Sequence, residues 1–278
     1  MTTYDFSLLH IDQADGVLWA TIDAPPVNVM TVPLSKEIGK LCRTVAEDEA
    51  VRAVVLQSAN PEFFIAHYDV ENILSWPTDR PAARKNELSG FHLMCERWRT
   101  MPKATIVKVA GRVGGGGAEL SASCDMRFGL LGGTVINQME VPIGILPGGT
   151  GTQRLPRLVG RGRAMELVLG GVDLDAATAA QWGWLNRAFA TLEELDAYVD
   201  DLARRIASFP PQAVINGKAA VLAADGDPRE GLLEEAYLFD QLLSRPDAQA
   251  AMRRFLAAGG QTREGELRVG ELNAEINR

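Results

Sequence analysis

The sequence predicts an α/β fold, with alternating short strands and amphipathic helices followed by an all-helical C-terminal part. Three observations carry this. Apolar runs of strand length recur through the first 190 or so residues, amphipathic stretches of helical period separate them, and after Leu192 the strand-like runs stop. In order, GVLWATID (16–23) reads as a strand, LSKEIGKLCRTVAEDE (34–49) as an amphipathic helix and AVVLQS (53–58) as a second strand. A long helix is expected from Ala82 to Arg99, ahead of the strand ATIVKVAG (104–111). DMRFGLL (125–131) and WLNRAF (184–189) continue the strand series. Four helices are expected near 192–208, 210–224, 229–244 and 247–257, punctuated by FPP, GDP and RP. The expected organisation is a core over 1–191, a helical region over 192–258 and a loosely held polar tail over 259–278.

Composition narrows the function. The chain has 278 residues, 46% hydrophobic and 23% charged, which is ordinary for a globular protein with a sizeable core. A net charge of −8 and a pI near 5.1 argue against nucleic acid or an anionic membrane as the main partner. A local basic patch can still receive a small anion. Cys42, Cys95 and Cys124 are odd in number and far apart, fitting neither a disulfide framework nor a zinc site, so a reducing cytoplasm is expected. The N-terminal residues lack the basic and apolar regions of a signal peptide, and no apolar run approaches the ~20 residues of a membrane span.

The most informative stretch is GRVGGGGAELSASCD (111–125), where a strand runs into four glycines and a helix opens near Gly116. A P-loop needs a lysine and a hydroxyl after the last glycine, but Ala118 and Glu119 stand there. A dinucleotide-binding loop needs glycine where Glu119 stands. Two readings remain. Bare backbone at a helix N-terminus can receive a negative charge or a polarised oxygen, or the glycines simply let helix and strand pack closely. A second stretch, NQMEVPIGILPGGTGTQRLPRLVG (137–160), again sets one carboxylate, Glu140, in apolar surroundings before a glycine-rich turn. A lone Glu in such a run is usually a loop residue or cap. Two of them, each beside a glycine turn, point to chemistry. A third stretch, FFIAHYDV (63–70), leaves a strand and enters a helix, offering further backbone N–H groups.

In this order and spacing, FIAHYD, AGRVGGGGAELSASCD and MEVPIGILPGGTGTQRL resemble the three motifs of the crotonase (enoyl-CoA hydratase/isomerase) family. PPVNVM (25–30) and LDAATAAQWGWLNRAF (174–189) extend the likeness to roughly residues 6–257. The resemblance implies a spiral of β-β-α turns with a helical C-terminal trimerisation region. It implies an acyl-CoA thioester as substrate, with coenzyme A as part of that substrate and no separate cofactor or metal. It puts the backbone N–H groups of Tyr68 and Gly116 in an oxyanion hole, and Glu119 and Glu140 in the roles of the two glutamates that add water to a 2-enoyl-CoA. By the same likeness Val27, Asn28, Ala66, His67, Asp69, Gly115, Pro147 and Gly148 contact the acyl-CoA. A homotrimer or dimer of trimers follows, with no nucleic-acid or membrane partner.

Several positions depart from the family pattern. His67-Tyr68 stands where small residues are usual, so the two side chains either point away or narrow the hole and add a titratable group. Ala110 and Gly114 replace an asparagine and a larger apolar residue. RRFLAAGGQTRE breaks into Gly-Gly where relatives carry a basic helix end, leaving Arg253 and Arg254 as substitutes for phosphate contacts or as solvent-facing charges. His10 and His92 lack motif context and are expected to be structural or surface residues. Hydration is the leading reaction. Double-bond isomerisation, C–C cleavage recruiting His67 or Tyr68, and a non-catalytic scaffold are the alternatives.

Overall fold

The computed structural model describes residues 2–277. Its strands and helices run β1 (Leu9–Ala14), β2 (Val17–Ile22), α1 (Val32–Glu47), β3 (Ala53–Ser58), β4 (Phe63–Ile65), α2 (Val70–Leu74), α3 (Gly90–Thr100) and β5 (Ala104–Val109). They continue with β6 (Arg112–Gly114), α4 (Gly115–Ser123), β7 (Met126–Leu130), β8 (Val135–Asn137), α5 (Gly151–Val159), α6 (Arg161–Gly170), β9 (Leu174–Asp175), α7 (Ala176–Trp182) and β10 (Arg187–Phe189). The remainder is helical: α8 (Leu192–Ala207), α9 (Pro211–Ala223), α10 (Arg229–Leu243), α11 (Pro246–Ala257), α12 (Arg263–Leu267) and α13 (Val269–Glu275).

Two sheets share the strands. One has the order β1-β2-β3-β5-β7-β10 and the other β4-β6-β8-β9. Successive turns each give one strand to each sheet: β3 then β4, β5 then β6, β7 then β8. Within each sheet these strands pair in parallel. The result is the α/β spiral of β-β-α turns. Buried on both faces, β3 and β5 read as the near-continuous apolar runs seen in the sequence.

The expected strands and the first and last helices form, with three differences. The helix expected from Ala82 begins at Gly90, because the Ser89 hydroxyl accepts the His92 N–H and caps it, while the residues before it have no apolar face to bury. Helix α8 packs on the core rather than standing apart from it. Its Leu195, Val199 and Ala203 pack on Val17, Val55 and Ile106 of the six-stranded sheet, so packing does not divide at 191. The third difference is the C-terminal segment, which is not a loose tail. Thr262 caps α12, and Val269 and Leu272 of α13 are buried with Ile143, Ile145 and Phe255. Among the described residues no helix is long and apolar enough to cross a membrane.

The helices of the expected trimerisation region differ in how they are covered. On α10, Leu232, Phe239 and Leu243 are buried within this chain. On α9 no residue is buried, and Val221 is 73% exposed.

Candidate active site

The four glycines divide the two readings between them. A methyl built on Gly117 would lie 2.6 Å from Ile65 Cβ, and one on Gly114 would lie 2.4 Å from the Ala66 carbonyl oxygen, so these two serve close packing of α4 and β6 on the β4 loop. Gly115 has φ of +43°, a conformation that side chains disfavour. Gly116 is the one that borders the open space of the site. A methyl there would stand 3.6 Å from Tyr68 N and 3.3 Å from Phe91.

That space belongs to a cavity of about 810 Å³ lined by His67, Tyr68, Gly116, Glu119, Glu140 and Gly148, with apolar walls from α2, α3 and α10. The Tyr68 N–H has no hydrogen-bond partner among the described residues. The flanking backbone is anchored instead: Met30 N–H donates to the His67 carbonyl at 2.8 Å, and Asp69 N–H to the Met30 carbonyl at 3.3 Å. Gly116 is the second residue of α4, where no intrahelical acceptor exists for its N–H. Two free donors and the positive end of a helix therefore meet at one wall of the cavity.

Glu119 sits in α4, every residue of which is buried. Its Oε1 accepts the N–H groups of Gly149 and Gly151, both at 2.8 Å, from the PGGTG turn. These bonds favour the anion, but burial, followed by the nearby Glu140 and Glu235, outweighs them and holds the carboxyl well above the usual carboxylate range. Burial also pushes Glu140 up to about 7, opposed by the Gln138 amide, which donates to its Oε2 at 3.1 Å, and by the His67 charge. Two buried carboxyls on one cavity cannot both ionise cheaply, so the pair holds a proton near neutral pH.

His67 points inward. Its ring is 2% exposed, with Nδ1 2.7 Å from the Tyr68 carbonyl and Nε2 3.0 Å from Glu266 Oε1. The Tyr68 ring stands edge-on to Phe91, and its hydroxyl donates to Asn72 Oδ1 at 3.2 Å.

Six residues expected at the acyl-CoA do not line the cavity. Val27 and Ala66 are packed with Phe63 in a small apolar cluster. The Asn28 amide is engaged internally, accepting Ala24 N–H and donating to Ser58 Oγ and the carbonyls of Phe63 and Phe64. Asp69 caps α2, Gly115 lies between His67 and Glu140, and Pro147 backs the turn against Gly151. Arg254 donates to the Ile276 carbonyl and Arg253 to that of Gln249. His92 is fully buried against Glu235, and His10 is exposed beside Asp23.

Sequence reasoning missed Glu235 and Glu266. Glu235 accepts from His92 Nε2 and from the N–H and hydroxyl of Thr152, tying α10 to α3 and α5 behind Glu119. Its signal was a charge on the apolar stripe Leu232-Glu235-Phe239. Glu266, in a polar segment, gave none.

The chain matches the profile described as enoyl-CoA hydratase/isomerase over residues 12–261. The chain belongs to this family. It is 30% identical to a short-chain-enoyl-CoA hydratase of Clostridium acetobutylicum over 248 residues, 88% of this chain and 93% of the relative. A crystal structure of a protein provisionally described as an enoyl-CoA hydratase, from Streptomyces avermitilis, has 38% identity and a TM-score of 0.90, covering 99% of this chain and 100% of that one. The likeness to the fatty acid oxidation complex subunit alpha of Aliivibrio fischeri is 33% over 173 residues, 61% of this chain but only 25% of that much longer protein. The enoyl-CoA hydratase/isomerase family acts on acyl-CoA substrates, which agrees with a cavity that has a polar end and long apolar walls.

Proposed function

We propose that this chain is a hydratase of 2-enoyl-CoA thioesters. The observation that carries the reading is the convergence, on one cavity, of two buried carboxyls, Glu119 and Glu140, and two unpaired backbone N–H groups. The thioester carbonyl accepts from Tyr68 N–H and Gly116 N–H, which draws electron density away from C3. One glutamate, as carboxylate, takes a proton from water as the water oxygen bonds to C3. The C2–C3 π electrons move onto the thioester as an enolate, whose negative oxygen the two N–H groups stabilise. The other glutamate delivers its proton to C2, giving the 3-hydroxyacyl-CoA. The pair then still holds one proton, moved from one carboxyl to the other. Both ring nitrogens of His67 are engaged with acceptors, which disfavours the alternative in which it recruits a proton for C–C cleavage.

The same reading makes the protein a homotrimer or dimer of trimers, with the uncovered face of α9 as part of the contact. It also places the protein in a reducing cytoplasm, in keeping with three buried free cysteines. Incubation with crotonyl-CoA and longer 2-enoyl-CoAs, following the loss of conjugated thioester absorbance, tests the function. Wild type consumes the conjugated substrate, and Glu119→Gln and Glu140→Gln each lower kcat by about 10²-fold or more. Wild-type turnover in either variant would refute the two-glutamate scheme.

A further inference from the structure

His67 has surroundings that its place in a catalytic loop does not require. Its two ring nitrogens face atoms that accept: the Tyr68 carbonyl at 2.7 Å and Glu266 Oε1 at 3.0 Å, an oxygen that also accepts the Gln261 N–H at 2.7 Å. A neutral imidazole has one N–H and would leave one of these contacts unmade, so the geometry calls for a proton on each nitrogen. The ring is buried, with Phe255 edge-on at 5.6 Å, and the carboxylate it is hydrogen-bonded to is Glu266 from α12. Burial opposes the charge, yet the attraction of Glu266 keeps His67 above its ordinary pKa, and the same pairing holds Glu266 below its own.

The contact is one of three by which the C-terminal segment grips the loop that carries the Tyr68 N–H. Gln261 Oε1 accepts the Val70 N–H at 2.6 Å, and Arg263 pairs with Glu62. The grip therefore runs from just before β4 to the start of α2, with His67–Glu266 at its buried centre. On the other side of His67 is Glu140. A single methyl on Gly115 would fill the space between them, 3.0 Å from His67 Cβ and 3.1 Å from Glu140 Oε1.

We propose that His67 is a positioning residue: an imidazolium fixed between the Tyr68 carbonyl and the Glu266 carboxylate, it aims the Tyr68 N–H into the cavity and keeps a positive charge beside Glu140. The bond from Nδ1 fixes residue 68 on its carbonyl side, while Met30 fixes the preceding peptide through the His67 carbonyl, so the one remaining donor, Tyr68 N–H, has a set direction. The charged groups that act on this unit are Glu266 on α12, Glu140 after β8, Arg112 on β6 acting on Glu266, and Glu119 and Glu235 acting on Glu140. The catalytic part of the inference rests on the hydratase reading. The charge state does not.

The test has two arms. The first needs no substrate: histidine side-chain NMR on the wild-type protein, which has only three histidines, followed across pH. His67 is expected to remain doubly protonated through pH 7.5 and above. A neutral ring at pH 7 would overturn the proposal whatever reaction the protein catalyses. The second arm uses Glu266→Gln, whose Oε1 can still accept from Gln261 and His67, so shape and both hydrogen bonds are available while the anion is gone. For 2-enoyl-CoA hydration, kcat should fall about tenfold or more with KM within about threefold, because a ring made neutral by loss of the anion has one N–H for two acceptors and no longer fixes the Tyr68 N–H at the step where charge develops. The acid limb of the kcat–pH profile should move up by about one pH unit, because Glu140 loses a neighbouring cation. Restoring the anion with Glu266→Asp should recover part of the shift. An unshifted pH profile in a folded Glu266→Gln variant would overturn the role assigned to the charge. Absence of hydration by the wild type, with His67 charged in the first arm, would count against the hydratase reading alone.

Discussion

Replacing Glu140 with glutamine should remove activity and yet stabilise the protein above neutral pH. Burial raises this carboxyl from 4.5 to about 7. Between those values the folded protein binds a proton that the unfolded chain has released. The stability this proton contributes is complete below about pH 4.5 and lost as pH rises through about 7. A difference of about 2.5 in pKa corresponds to about 3 kcal/mol over the whole window. About 2 kcal/mol of it falls between roughly pH 5.5 and 8.5. The amide introduced by Glu140→Gln cannot ionise and retains an oxygen to accept from Gln138, so the variant escapes this loss. Urea denaturation of wild type and Glu140→Gln at both pH values gives two stability gaps, and subtracting one from the other cancels any difference in packing. The gap should move in favour of the variant by about 2 kcal/mol at the higher pH. A gap that is the same at both values would mean that Glu140 titrates like an exposed carboxyl, and the shared-proton account would fail with it.

Two further predictions concern the loop and the assembly. Tyr68→Phe and Tyr68→Ala keep the backbone N–H and should hold kcat within about tenfold, whereas Tyr68→Pro deletes a donor whose loss typically costs about 10²–10³ in kcat. A loss of about 10²-fold in Tyr68→Phe alone would make the phenol an acid or base. Light scattering should give a trimer or its dimer, and charge at Val221 on α9 should shift it toward smaller species. A wild-type mass near 30.1 kDa at micromolar concentration would refute the assembly.

Much of the architecture was legible because the parallel strands are buried on both faces and so appear as unbroken apolar runs. Strands β6, β8 and β9 were not legible, since two or three residues cannot establish a period. The glycine motifs were readable as a place where backbone must come close to something. Which glycine served what was not, because Gly117 against Ile65 and Gly116 at the cavity wall look identical in one dimension. Glu119 and Glu140 stood out as charges in apolar surroundings. Asn28 was expected at the acyl-CoA through the likeness of PPVNVM, but its amide is tied up in a structural knot that only the meeting of distant segments creates. Glu266 shows the limit most plainly. It lies 199 residues from His67, among polar neighbours, and nothing local marks it as buried.

The central claim is that water, not merely a proton, is added to the substrate. Incubating the protein with a 2-enoyl-CoA in ¹⁸O-labelled water and weighing the product by mass spectrometry tests this most directly. The account predicts a product heavier by one labelled water, with the label in the new hydroxyl, formed by wild type and strongly slowed in Glu119→Gln and Glu140→Gln. A product of unchanged mass with a migrated double bond, or cleavage of a carbon–carbon bond, would contradict it.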